Sequence, residues 1–227
     1  DIFQLLDRNQ YFVSTYPIKN KNIADQITEI IGDDITLPAN FNIICTVNMN
    51  DQSVFPMDTA FKRRFNWQYV STDPIVDENK GRNAKLNNPK IIINKDSEEK
   101  IETTWHAFYS ALNNYITNKI DGLGKSEDKQ IGQFFIDFEE ELIKESHSTD
   151  PITSKKAIEE INEKIKHKLL LYLWQDVQGI LLNRTKSLFD KEISSFDKLF
   201  NAYGVSKVFN DTFINNFMDP VKSEYPY

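Results

Sequence analysis

Phe41-Asn42-Ile43-Ile44-Cys45-Thr46-Val47-Asn48-Met49-Asn50-Asp51-Gln52-Ser53, followed by Met57-Asp58-Thr59-Ala60-Phe61-Lys62-Arg63-Arg64-Phe65, is the stretch whose reading decides the fold. Phe41 to Val47 is a continuous apolar, β-branched run, the pattern of a strand buried on both faces of a parallel sheet. It stops abruptly on amides and an acid. Pro56 suits the first turn of a helix over residues 57 to 64, which closes on Lys62-Arg63-Arg64. Residues 65 to 70, Phe-Asn-Trp-Gln-Tyr-Val, alternate with period two and predict a second strand.

The residue types at these ends have definite chemical uses. An asparagine at the end of a buried strand, Asn48, both donates and accepts hydrogen bonds and can orient a water without carrying charge. On residue type alone an Asn in this place is more often a turn residue. Arg63 and Arg64 carry planar, permanently charged forks suited to phosphate oxygens. On residue type alone they are also solvated cations at the end of a helix whose dipole favours them. Asp58 reads as a brace for the helix start or a partner of one arginine.

Together these motifs resemble the second half of the motor core in the McrB-like branch of AAA+ proteins, NTPase subunits of modification-dependent restriction systems. That pattern runs Met-Asn-x-x-Asp-Arg-Ser and then Asp-x-Ala-x-x-Arg-Arg-Phe. Here Asn48, Asp51, Ser53, Asp58, Ala60, Arg63, Arg64 and Phe65 match it, while Val47 replaces the Met and Gln52 replaces the first Arg. The resemblance implies that Asn48 is the sensor I residue positioning water in cis, with Asp51 beside it. It implies that Arg63 or Arg64 is the arginine finger reaching nucleotide on a neighbouring subunit. Any role resting on the charge of the replaced arginine is lost at Gln52.

Gly122-Leu123-Gly124-Lys125-Ser126 is a decoy for a phosphate-binding loop. The glycine that a P-loop needs five residues before Gly124 is Lys119, an amphipathic helix precedes the loop, and charges follow it. No other Gly-x-x-x-x-Gly-Lys-Ser/Thr occurs, nor an apolar strand ending in Asp-Glu. The chain opens without methionine on Asp1-Ile2-Phe3-Gln4-Leu5-Leu6-Asp7, which resembles the family's helix after the acidic motif. The P-loop and acidic motif are therefore expected upstream, and the chain alone is expected to be inactive as an enzyme.

The rest of the sequence frames this reading. The chain of 227 residues, 40% hydrophobic, is long enough for one to two domains with a sizeable core. A net charge of −7 argues against a surface that is basic throughout. The single cysteine, Cys45, excludes an internal disulfide or a cysteine-rich zinc site. With no 18-residue apolar run or signal pattern, a cytoplasmic protein without membrane contact is the expectation.

Residues 9 to 22 predict an extended or turn segment, Ile23 to Ile31 a helix stopped by Gly32, and 71 to 100 a linker or insertion with a small strand at Ile91-Ile92-Ile93. Beyond Ile101 the periodicity is helical. Trp105, Phe108, Tyr109, Leu112, Tyr115 and Ile116 form one stripe; Ile158, Ile161, Ile165, Leu169, Tyr172 and Leu173 form another. Segments near 177–189, 193–203 and 206–216 continue the bundle, with Phe196, Phe200, Tyr203, Phe209, Phe213 and Phe217 as its closing layer. Lys129 to Ile136 and Leu170 to Val177 resemble the family's lid and are read as packing. Glu139-Glu140-Glu141 and Glu159-Glu160 read as solvated faces, and His106, His147 and His167 have no partner at metal-ligand spacing.

The fold class expected is an α/β remnant of an AAA+ (P-loop NTPase) core followed by an α-helical lid bundle, mostly α. Its divisions are residues 1–72 (half-core), 73–100 (linker or insertion) and 101–227 (lid). By the resemblance, the intact protein binds GTP or ATP with Mg, assembles into a homo-oligomeric ring, a hexamer, and drives a nuclease subunit on DNA. Two rivals stand beside this reading. One is a non-catalytic scaffold docking a nuclease or DNA-recognition subunit; the other is a helical DNA-binding domain fused to a remnant strand pair.

Overall fold

The computed structural model describes residues 2–26, 32–47, 57–75, 87–94, 101–147, 151–179 and 186–220. The chain divides into two compact units, residues 1–70 and 71–227.

In the first unit, a 3-10 turn, Ile2–Leu6, precedes strand β1 (Ile18–Lys19), helix α1 (Lys21–Ala24) and strand β2 (Asp34–Ile35). β1 and β2 pair antiparallel, Ile18 opposite Ile35 and Lys19 opposite Asp34. Asn20 caps α1 by accepting from the Ile23 N–H at 3.2 Å. Helix α2 is Thr59–Lys62, shorter than the 57–64 expected, with Asp58 accepting from the Ala60 N–H as N-cap. Of the helix expected over 23–31, only Ile23 and Ala24 lie in α1, Asp25 and Gln26 form a turn, and residues 27–31 lie outside the described residues.

Both strands expected around this region differ from what is seen. Residues 41–47 and 65–70 carry no strand ladder, and Ile44 is 94% exposed, Tyr69 79% and Val70 82%. Cys45 is exposed as well. A central parallel strand needs hydrogen-bonded neighbours and covered faces. Among the described residues no strand lies alongside 41–47, so the apolar run keeps its side chains in solvent. Only Leu5 and Ala24 are buried hydrophobics in the described part of this unit.

The second unit is built around helix α3 (Trp105–Thr117). It follows directly from a hairpin, β3 (Lys90–Asn94) and β4 (Ile101–Thr104), with Ile91 opposite Thr103 and a register shift between Ile92 and Asn94. The period-two pattern puts Ile91 and Ile93 in the core, where the small strand expected at Ile91-Ile92-Ile93 is packed as part of β3. Thr104 ends β4 and caps α3, accepting from the Ala107 N–H at 3.3 Å. Trp105, Phe108, Tyr109, Leu112, Tyr115 and Ile116 are all buried.

The core around α3 is completed by α4 (Glu139–His147), α5 (Pro151–Lys164), α6 (Leu170–Tyr172), α7 (Phe196–Ala202) and α8 (Asp211–Phe213): α8 packs on α3, α5 on β3, α4 on α5 and α7 on α6. Wide π turns, Ile165–Leu169 and Leu173–Gln178, join α5 and α6 into one helical run that stops at Gly179, φ +63°. Another π turn, Ile214–Met218, extends α8. Phe108 meets Phe209 and Phe213 edge-on, at 5.6 and 6.2 Å between ring centres, and Tyr115 meets Phe213 and Phe217 at 5.5 and 5.0 Å. Of the closing aromatic layer, Phe209, Phe213 and Phe217 thus pack onto the first helical stripe, while Phe196 meets Trp174 and Phe200 meets His167.

Between α3 and α4 the chain is irregular, with Ile131, Gln133, Ile136 and Phe138 buried, and side chains satisfy its backbone there. Asn113 donates to the Ile131 carbonyl and accepts from its N–H, both at 2.8 Å. Asn87 donates to the carbonyls of Gln133 and Ile136 and accepts from the Phe138 N–H. The Trp105 indole donates to the Gln133 carbonyl at 2.8 Å, and the Tyr172 hydroxyl to that of Lys129 at 3.0 Å. The segment resembling a lid is therefore held as a wall of the core.

Candidate functional site

The candidate site lies in the first unit, where the arginine pair ends α2. Asn48 and Asp51 lie outside the described residues, so the geometry concerns Arg63 and Arg64.

Arg64 is committed. Its Nε donates to Asp7 Oδ1 at 3.1 Å and its Nη2 to Asp7 Oδ2 at 2.9 Å, a two-pronged fork, while Nη1 donates to the Ala60 carbonyl at 3.0 Å. Its side chain is 11% exposed and that of Asp7 28%. The hydrogen bonds from Arg64 hold the Asp7 carboxyl below its ordinary value, and the charges of Arg64 and Arg63 add to that. Arg64 is pushed up in turn, mainly by the Asp7 hydrogen bonds, with Asp58 contributing.

Arg63 is placed differently. Its backbone closes α2, donating to the Thr59 carbonyl at 3.2 Å, while its side chain is exposed. Among the described residues its side chain has no hydrogen-bond or ion-pair partner. One arginine of the pair is thus built into the unit and the other is presented to solvent.

Ring contacts and side-chain hydrogen bonds stiffen the surroundings. Phe3 of the 3-10 turn meets Phe61 edge-on at 5.0 Å, and Phe61 meets Phe65 at 4.9 Å, tying the N-terminal turn to α2. The Trp67 indole donates to the Lys62 carbonyl at 2.8 Å, capping the helix end. Arg8, next to Asp7, donates to the carbonyls of Phe12, Leu37, Pro38 and Phe41. Sequence reasoning missed Asp7 and Arg8 as site-supporting residues, because their partners lie far along the chain and follow no local spacing.

The glycine decoy is also explained by geometry. Leu123, Gly124 and Lys125 donate their N–H groups to the carbonyls of Tyr115, Asn118 and Ile116, at 2.8, 2.9 and 2.8 Å. These amides finish α3, as in a helix C-terminal stop with Gly124 at φ +62°, and are spent for cradling an anion. A Cβ on Gly122 would lie 2.1 Å from the Tyr115 carbonyl oxygen, so the close approach requires glycine. Among the described residues no group of three His, Cys, Asp or Glu has metal-holding geometry, and no helix is long and apolar enough to cross a membrane. At this end of α2 the guanidinium presented to solvent is that of Arg63.

The chain is similar to a protein whose name places it in a restriction enzyme. The relative is the Type II restriction enzyme BsuMI component YdiS of Bacillus subtilis (strain 168), 33% identical over 181 residues, 78% of this chain and 43% of that protein. The chain spans less than half the length of the relative it matches. No family model matches, and no solved structure does.

Proposed function

We propose that the chain is part of an McrB-like AAA+ GTPase or ATPase motor subunit of a DNA restriction system, contributing the sensor segment and the arginine helix. The observation that carries this reading is the split of the arginine pair: Arg64 is fixed by Asp7, and Arg63 stands exposed at the end of a braced helix. In such a motor Arg63 donates across a subunit interface to phosphate oxygens, stabilising charge as phosphoryl transfer proceeds, and Asn48 orients the attacking water. The bound nucleotide with Mg supplies the reacting phosphate; Arg63 supplies a fixed positive fork beside it. The similarity to a restriction-enzyme component supports the biological setting. A homo-oligomeric ring, a nuclease subunit and DNA as track belong to this proposal.

The test is Arg63→Ala in the full-length protein with its partner subunits. Hydrolysis should fall roughly 10³-fold or more, as for lost arginine fingers, while nucleotide affinity of the variant subunit stays within about threefold, because the residue serves a neighbour's site. Mixed with wild-type subunits, the variant should poison sites next to it. Wild-type turnover by Arg63→Ala would remove the motor reading for this residue.

The exposed apolar residues Ile44, Trp67, Tyr69 and Val70 favour a second reading, a non-catalytic AAA+-derived scaffold that docks a nuclease or DNA-recognition subunit. It predicts no hydrolysis to lose in the same experiment, and loss of complex formation when Ile44 and Tyr69 become polar.

A further inference from the structure

Two arginines adjacent in sequence at a helix terminus would both swing freely if nothing held the helix end. Here the holding group is a single carboxylate. Asp7 takes two prongs of the Arg64 guanidinium, at 3.1 and 2.9 Å, while Arg64 turns its third nitrogen back onto the Ala60 carbonyl of its own helix. Asp7 is itself immobile: its N–H donates to the Gln4 carbonyl at 3.1 Å and its carbonyl accepts from the Thr15 N–H at 2.7 Å. The neighbouring Arg8 pins the loop carbonyls of Leu37, Pro38 and Phe41. The Phe3–Phe61–Phe65 contacts add a second attachment between the same two segments.

We propose that Asp7 is a positioning residue. By clamping Arg64 it fixes the C-terminal end of α2, so that Arg63 projects from a rigid base instead of a fraying four-residue helix. Resting on the function proposed above, this assigns the two arginines different work: Arg63 touches the phosphate, Arg64 and Asp7 aim it. The effect of losing the clamp is then one of orientation, felt in the rate and little in nucleotide binding, because a misplaced group costs transition-state contact while the neighbour's nucleotide pocket is untouched.

The experiment measures NTP hydrolysis by the full-length protein with its partners, for Asp7→Asn, Asp7→Glu, Arg64→Lys and Arg63→Ala. Asp7→Asn should lower kcat roughly 10- to 100-fold with KM within about twofold, and Asp7→Glu, which retains the charge and two acceptors, should recover part of the loss. In mixed assemblies the defect should fall on sites facing the variant subunit. If Asp7→Asn does not fold, Arg64→Lys carries the test, since it keeps the charge and loses the fork, with the same loss expected. Wild-type kcat in Asp7→Asn or, failing that, in Arg64→Lys overturns the positioning role when Arg63→Ala is inactive. A fully active Arg63→Ala instead overturns the underlying functional reading.

Discussion

Arg63 and Arg64 are the same side chain on consecutive residues, and what separates them is a carboxylate 57 positions away. The motif around them was legible: acid, small residue, paired arginines, aromatic. Their division of labour was not, because a fork between Asp7 and Arg64 depends on how two distant segments meet. The pair also fixes a pH response. Asp7 is held below its ordinary value near 3.8, so the carboxylate contributes stability above that value. The contribution is lost only as pH falls through the still lower native pKa. Carbon-13 NMR of the Asp7 carboxyl should therefore show a titration midpoint below about 3.8, and a midpoint at or above that value would show that the fork is absent. Asn87 is a second residue of this kind, buried, at φ +51°, with three hydrogen bonds to the 133–138 loop. Asn87→Ala leaves the Ile136 carbonyl and the Phe138 N–H unpaired, while the Gln133 carbonyl keeps the Trp105 indole, and should cost about 3 kcal/mol in urea unfolding.

The elements show which patterns carry information. The α3 stripe and Ile161, Ile165, Leu169 and Leu173 are buried as their helical spacing predicts, since a period of 3.6 residues puts them on one face whatever they pack against. A strand does not declare itself so locally: 41–47 has the composition of a buried strand, but a strand exists only as a ladder with another. Charge is ambiguous in the same way. Glu141, in an acidic run that reads as solvated, has a side chain only 4% exposed and accepts from Lys164 at 2.7 Å, joining α4 to α5. Lys164 is 38% exposed and also donates to the Asp137 carbonyl. The two ends of this pair should respond unequally. Lys164→Ala strands a buried carboxylate and should cost about 3 kcal/mol, whereas Glu141→Gln frees a lysine that water can reach and should cost about 1 kcal/mol. Equal losses in thermal unfolding would mean that Glu141 is hydrated in solution.

At the scale of the molecule, the two units differ in where their apolar surface goes. The core from Ile91 to Met218 lies entirely in the second, while the described part of the first buries Leu5 and Ala24 and leaves Tyr11, Phe12, Tyr16, Ile44, Tyr69 and Val70 mostly in water. Apolar burial near 25 cal/mol per Å² is what offsets chain entropy, so the second unit has the means to fold alone and the first has little. Residues 71–227 should therefore unfold in urea as one cooperative transition, with a midpoint close to that of the second unit within the full chain. Residues 1–70 alone should show no sharp transition and should bind an apolar dye such as ANS. A steep, two-state unfolding of 1–70 would mean that its apolar residues find cover within that span. In that case the exposed run at 41–47 would no longer favour the docking scaffold, and the motor reading would rest on Arg63 alone.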